Sequence, residues 1–279
     1  MSKLLLKNHA PDATGLVHRV TPESAGWRHV GFDLYQLRPG QSLSAPASPR
    51  ETCLVLVAGK ADVTAGGQSF AAIGDRMSPF EDKKPYSVYA PEQTGWSVTA
   101  LTDLELAVCT APGTGGGLPV RLIGPDQVTS SVRGQGTNTR YINDILPESQ
   151  PADSLLVVEV KTPAGNWSSY PPHKHDTDNI DGGESFLEET YYHRTNPPQG
   201  FAFQRVYTDD RSLDESLAVE NGDLVMVPRG YHPVGAAHGY DLYYLNVMAG
   251  PTRIWRFNTA VEHRWMMASA PAAPAAEKV

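Results

Sequence analysis

Two stretches of this chain repeat one another in order. Glu51-Thr opens the apolar run ETCLVLVAG (51–59), and a Gly74-Asp turn then leads to Pro79. Later, Glu189-Thr opens ETYYHR (189–194), and a Gly222-Asp turn leads through LVMV to Pro228. Two copies of one unit predict two packed domains of the same kind. The units read as β. Short apolar runs such as HVGFDLYQL (29–37), LELAVCTAP (104–112), SLLVVEVKTP (154–163), FAFQRVYT (201–208) and DLYYLNVMAG (241–250) are rich in Val, Tyr, Phe and Leu and are bounded by turn formers. No long segment carries a helical period, and 25 Gly and 23 Pro punctuate the chain. The expected architecture is all-β: two antiparallel β-barrels with few short helices, spanning 1–130 and 131–267. The join falls in the polar, Gly-rich region from about Gly113 to Pro151. The final ASAPAAPAAEKV (268–279) reads as a disordered Ala/Pro tail.

Charge and cysteine usage narrow the setting. With 23 Lys and Arg against 31 Asp and Glu, the net charge of -8 opposes a nucleic-acid partner, which needs a basic surface. No apolar stretch is long enough to span a bilayer, and the three-leucine run near the N-terminus is too short for a signal peptide. Cys53 and Cys109 read as buried thiols of a cytoplasmic protein.

Histidine is distributed unevenly. Three of the nine lie before residue 30, none from Val30 to Pro172, and six from His173 to His263. One functional half and one structural half are therefore expected. In the second half, His173-Lys-His175 on a strand would point two imidazoles to one face. His232 ends the pattern G-x5-P-x-G-x-H that begins at Gly222. A carboxylate must come from Glu184, Glu188 or Glu189. The last two face opposite sides of a strand, and the repeat aligns Glu51-Thr with Glu189-Thr, so Glu189 is the expected ligand and Glu188 a supporting or surface residue. Three imidazoles and one carboxylate suit a divalent Zn, Mn, Fe, Co or Ni ion. The intervening DTDNIDGGE (176–184) lacks the ligand spacing of a calcium loop and reads as a solvated acidic loop. His193 and His238 read as structural, and Tyr191, Tyr243 and Tyr244 as core packing.

The order H-x-H, Glu, G-x5-P-x-G-x-H resembles the metal-binding motifs of the cupin superfamily, with a longer spacing from His175 to Glu189 and one residue fewer before His232 than usual. More specifically, SSYPPHKHD (168–176), EETYYHRTNPPQGFAFQRVYTDD (188–210) and VPRGYHPVGAAHGYDLYYLNVMAGP (227–251) resemble the 5-deoxy-glucuronate isomerase family of myo-inositol catabolism. The resemblance implies a bicupin of jelly-roll type whose first barrel is degenerate and metal-free. It also implies a metal site at His173, His175, Glu189 and His232, and an aldose–ketose isomerisation of 5-deoxy-D-glucuronate to 2-deoxy-5-keto-D-gluconate.

Such a reaction moves one proton between adjacent carbons through an enediol, or shifts a hydride, and a divalent cation would stabilise the developing oxyanion. The sugar-acid carboxylate needs a cationic partner, and Arg205 and Arg229 are the arginines nearest the motifs. The sequence names no catalytic base. Two other readings carry the same ligands: a cupin dioxygenase and a non-catalytic sugar-binding cupin. A homo-oligomer formed through barrel edges is left open.

Overall fold

The structure is a computed structural model, and it describes residues 2–267; the Ala/Pro tail expected at 268–279 lies outside the described residues. All strand pairs in its sheets are antiparallel. In the first half, a six-stranded sheet runs in the order Arg121–Ile123, Tyr86–Ala90, Arg50–Ala58, Leu104–Pro112, Gly31–Leu37, Leu16–Val20. It faces a four-stranded sheet of Ser42–Ala45, Trp96–Ala100, Ala61–Ala65 and Gln68–Ile73. In the second half, a seven-stranded sheet runs Leu5–Leu6, Leu224–Val227, Glu188–Asn196, Asp241–Ala249, Leu156–Thr162, Arg140–Leu146, Thr129–Arg133. Its companion sheet is Trp167–Ser168, Val234–Ala236, Phe201–Tyr207 and Asp214–Glu220. Among the described residues the helices are one four-residue turn, Pro22–Ala25, and three short 3-10 turns.

Two chain segments stand across the division expected after residue 130. Leu5 and Leu6 pair with Val225 and Leu224 in the second half's sheet. Thr129–Arg133, which that division would cut, pairs along its length with Arg140–Asp144. The halves are therefore interleaved at the chain's start as well as joined at its middle.

Strand alternation explains why the central strands read as unbroken apolar runs. In Arg50–Ala58, Leu54 and Leu56 point into the first barrel, while Cys53, Val55 and Val57 point out of it. The outward face is also buried, because the two large sheets pack on each other. Phe32, Leu34, Tyr89 and Ala107 of the first half form one cluster there with Val157, Tyr192, Leu245 and Val247 of the second. In the second half, Tyr191 faces the barrel interior and its neighbour Tyr192 faces the inter-sheet layer. The two thiols, Cys53 and Cys109, sit opposite each other in that layer, both free and buried, and burial pushes the Cys53 pKa up to about 12.

Polar contacts cross the same layer. Arg76 Nη1 and Nη2 donate to Oε1 and Oε2 of Glu159 at 2.9 and 2.7 Å, both side chains being almost fully buried. Asn143 and Tyr243 donate to the same carboxylate. Removing one partner of a buried pair strands the other, so Arg76→Ala is expected to cost about 3–5 kcal/mol. Chemical denaturation checks this; a loss below about 1 kcal/mol would contradict it.

Two glutamates fasten each half to the other. Glu51 accepts hydrogen bonds from the backbone N–H groups of Asp153, Ser154 and Leu155 (2.7, 2.5 and 2.5 Å) and from the Tyr89 hydroxyl. Glu188 accepts from the N–H groups of Arg28, His29 and Val30 at 2.8, 2.8 and 3.0 Å. Each carboxylate thus caps the backbone just before a strand of the opposite half. Glu51 pairs with Ala111 and Glu188 with Ala249, the corresponding ends of the two central hairpins.

This symmetry corrects the sequence alignment. The partner of Glu51 is Glu188, not Glu189, and the position equivalent to Glu189 is Thr52. Glu188 is not a surface residue either; it is buried in the inter-half layer. Glu189 faces the barrel interior, although the Glu-Thr alignment that singled it out was one residue out of register.

Candidate metal centre

The second barrel brings four side chains together at its interior. His173 lies on the short strand His173–Lys174, which pairs with Asn258–Thr259, and His175 follows two residues on. Glu189 comes from an interior strand of the large sheet, Glu188–Asn196. His232 follows Gly230, whose φ of +90° and close approach to the Tyr207 carbonyl leave no room for a side chain: an added Cβ would stand 2.5 Å from that oxygen. Tyr231 then exchanges backbone hydrogen bonds with Tyr207, which anchors the turn and turns His232 inward.

Hydrogen bonds settle which atom each residue presents. Nδ1 of His173, His175 and His232 lies 3.4, 3.0 and 2.9 Å from the backbone carbonyls of Pro171, Arg256 and Gly230. A carbonyl only accepts, so each ring carries its proton on Nδ1 and offers Nε2 as a lone pair. One ligand atom from each of the three histidines lies within 4.8 Å of the others. On Glu189, Oε2 accepts from the Tyr191 hydroxyl (2.9 Å) and Asn246 Nδ2 (3.1 Å). Its Oε1 lies 3.3 Å from His175 Nε2 and 3.8 Å from His232 Nε2.

Three of these converging atoms, His175 Nε2, His232 Nε2 and Glu189 Oε1, are buried without a hydrogen-bond partner. Leaving such atoms unpaired costs about 1–3 kcal/mol each, and more for a charge. A cation among them would relieve all three at once, so the donor set fits a metal ion. Burial drives the His173 pKa well below its usual value, assisted by the neighbouring His232 and His175. Burial likewise lowers that of His175, against the opposing pull of Glu189. Both imidazoles are therefore held neutral, the form that binds metal.

The cluster stands at the inner end of a cleft. A void of about 30 Å³, enough for one ion or water, touches His173, His175, Glu189 and Asn246. Beyond His173 a wider cavity of about 1130 Å³ opens between Tyr170, Trp255, Phe257 and Trp265. The Phe257 ring lies 4.7 Å from that of His173, centroid to centroid.

The structure does not bring the two sequence-nominated arginines here. Arg205 lies on the outer face of Phe201–Tyr207, where Ala202, Gln204 and Val206 take the inner positions. It forms a two-pronged pair with Asp214 at 2.8 and 2.7 Å and stacks on Tyr207. Arg229 is exposed, 3.5 Å from the Ser212 hydroxyl. The arginines that do line the cleft are Arg133 and Arg140. They sit in the Gly-rich stretch read from sequence as a join, and their signal was two arginines flanking Gly134 and Gly136.

Other residues also differ from expectation. Tyr191 is more than core packing, since its hydroxyl holds Glu189. The loop 176–184 is only partly solvated: Glu184 is buried and accepts from Asp176 N, Thr177 N and Asn258 Nδ2, while Asp176 accepts from Gly230 N. His193 is structural, bonded to Gln204 at 2.9 Å, and burial lowers its pKa to about 4.

Comparison with known proteins bears on the family and the fold. A sequence profile described as the KduI/IolB family matches residues 4–266. A 5-deoxy-glucuronate isomerase of Geobacillus kaustophilus (strain HTA426) is 56% identical over 278 residues, covering 100% of both chains. One of Bacillus subtilis (strain 168) is 48% identical over 271 residues, covering 96% of this chain and 99% of the other. The crystal structure of an IolB-like protein from Salmonella typhimurium LT2 superposes with a TM-score of 0.92 at 58% identity, covering 96% of this chain and all of that one. Lactobacillus farciminis oxalate decarboxylase, at 15% identity, covers 97% of this chain and 91% of its own with a TM-score of 0.63, a likeness of fold alone. The all-β bicupin architecture expected from the sequence is the one found.

Proposed function

The chain belongs to the KduI/IolB family, and on that premise we propose that it isomerises 5-deoxy-D-glucuronate to 2-deoxy-5-keto-D-gluconate at a divalent metal held by His173, His175, Glu189 and His232. The observation that carries the metal site is the convergence of three buried, unpartnered atoms: Nε2 of His175, Nε2 of His232 and Oε1 of Glu189. The isomerase reading rests on near-half or greater identity to isomerases over the whole chain.

The reaction turns an aldehyde and its neighbouring alcohol into a primary alcohol and a ketone, with no net gain or loss of atoms. A bound divalent cation would supply Lewis acidity for the oxyanion that develops between the two carbons. The protein's own part is positioning. Three backbone carbonyls hold the imidazoles in one tautomer and one orientation, and Tyr191 and Asn246 hold Glu189 with a single oxygen free. Phe257 and Trp255 give the cleft beside His173 apolar walls. The two free thiols accord with a cytoplasmic setting.

The test is metal analysis coupled to turnover. Purified protein is expected to carry about one divalent ion per chain. Chelation should lower isomerisation of 5-deoxy-D-glucuronate by about 10²-fold or more, and added divalent metal should restore it without oxygen consumption. Full turnover in protein shown to be metal-free would end the metal-dependent reading; oxygen-dependent turnover would favour a dioxygenase instead.

A further inference from the structure

Arg133 and Arg140 stand directly opposite each other across the hairpin formed by Thr129–Arg133 and Arg140–Leu146. Like charges in that position repel. In a chain with 31 acidic side chains and 23 basic ones, a carboxylate to neutralise them would be the ordinary solution. Neither guanidinium has one within 4.0 Å among the described residues. Arg140 Nη1 donates to the Asn138 carbonyl at 3.1 Å, and the Arg133 guanidinium lies 5.0 Å over the Trp255 ring. Asp144, farther along the same strand as Arg140, forms no ion pair with either.

The turn between them is built for this approach. At Gly134, φ is +76°, and an added Cβ would meet the Asn138 carbonyl oxygen at 2.0 Å and Arg140 Nη1 at 2.7 Å. Only glycine lets the hairpin close with both arginines on the cleft side. Both line the outer cavity with His173, Tyr170 and Trp255, and both also border the inner void that touches Glu189 and His175. Burial lowers the Arg140 pKa, with the neighbouring Arg133 adding to the effect. Two partly buried, unpaired guanidinia facing one cavity make an anion-binding site.

We propose that Arg133 and Arg140 bind the carboxylate of the sugar acid. The substrate would then lie in the cleft with its aldehyde end toward His173, His175, Glu189 and His232 and its acid end against the hairpin. This rests on the isomerase reading for the identity of the substrate and adds its orientation. It also makes the hairpin the element that selects uronates over neutral aldoses, the role that the sequence had assigned to Arg205 and Arg229.

The test uses the full chain with its metal in Arg133→Gln, Arg140→Gln and the corresponding lysine variants. Two readouts are compared: KM and kcat for 5-deoxy-D-glucuronate, and calorimetric binding of the substrate analogue D-glucuronate against neutral D-glucose. Each glutamine variant is expected to raise KM and weaken D-glucuronate binding by about 10- to 100-fold, with the larger share of the kinetic loss in KM. Metal content should match wild type, D-glucose binding should not change, and lysine should restore part of the loss. Unchanged KM and D-glucuronate affinity in both glutamine variants would overturn the proposal. So would loss of metal content in step with binding, which would give the arginines a structural role. If wild type binds D-glucuronate through these arginines yet does not isomerise 5-deoxy-D-glucuronate, the isomerase reading fails and the carboxylate site stands. If wild type binds no D-glucuronate at all, the carboxylate site fails.

Discussion

Glu189→Ala is expected to cost the proposed metal centre its divalent ion and to lower turnover of 5-deoxy-D-glucuronate on the order of 10²- to 10³-fold. The carboxylate presents one free oxygen, 3.3 Å from His175 Nε2 and 3.8 Å from His232 Nε2. Its removal leaves three imidazoles with no carboxylate beside the cation. The fold should tolerate the change. Tyr191 and Asn246 each lose a hydrogen bond, but a buried oxygen without a partner disappears with them. The metal-free variant should therefore stay within about 1–2 kcal/mol of metal-free wild type. Metal stoichiometry and the denaturation midpoint, measured on the same preparation, check both halves of the expectation. A variant that retains its full metal complement would remove Glu189 from the ligand set.

The neighbouring substitution should do the opposite. Glu188→Ala takes away the acceptor for three backbone N–H groups, a buried one at Val30 and partly buried ones at Arg28 and His29. An unsatisfied buried donor costs about 1–3 kcal/mol and a partly buried one less, so a loss of about 2–4 kcal/mol is expected. That is a large share of the roughly 5–15 kcal/mol available to an ordinary domain. Molecules that remain folded should keep their metal, because Glu188 points away from the histidines. Denaturant titration of Glu188→Ala and of Glu188→Gln, which keeps one acceptor oxygen, provides the measurement. If Glu188→Ala loses metal without losing stability, the facing of this strand is wrong.

These two adjacent glutamates show how a misaligned repeat could still point to the glutamate that faces the barrel interior. The Glu-Thr pairing placed Glu51 against Glu189, whereas the structure places Glu51 against Glu188, each capping three N–H groups of the opposite half. A shift of one residue exchanges the two faces of a strand. In Arg50–Ala58 and Glu188–Asn196 both faces are buried, so hydrophobicity could not reveal the slip.

The all-β class, two related units and the four residues of the candidate metal centre were legible in the chain itself. The class and the three histidines follow from local rules: short apolar runs between turn formers, and an H-x-H pair on a strand with a Gly-x-His turn to follow. Tertiary structure alone decided three things. It set which face of each central strand meets the other half, through packing between two large sheets. It drew Leu5–Leu6 onto the second sheet, a pairing between residues more than two hundred positions apart. It also turned Arg205 outward to Asp214 while bringing Arg133 and Arg140 to the cleft. Proximity to a motif along the chain does not measure proximity in a barrel, where a cavity is lined by strands distant in sequence.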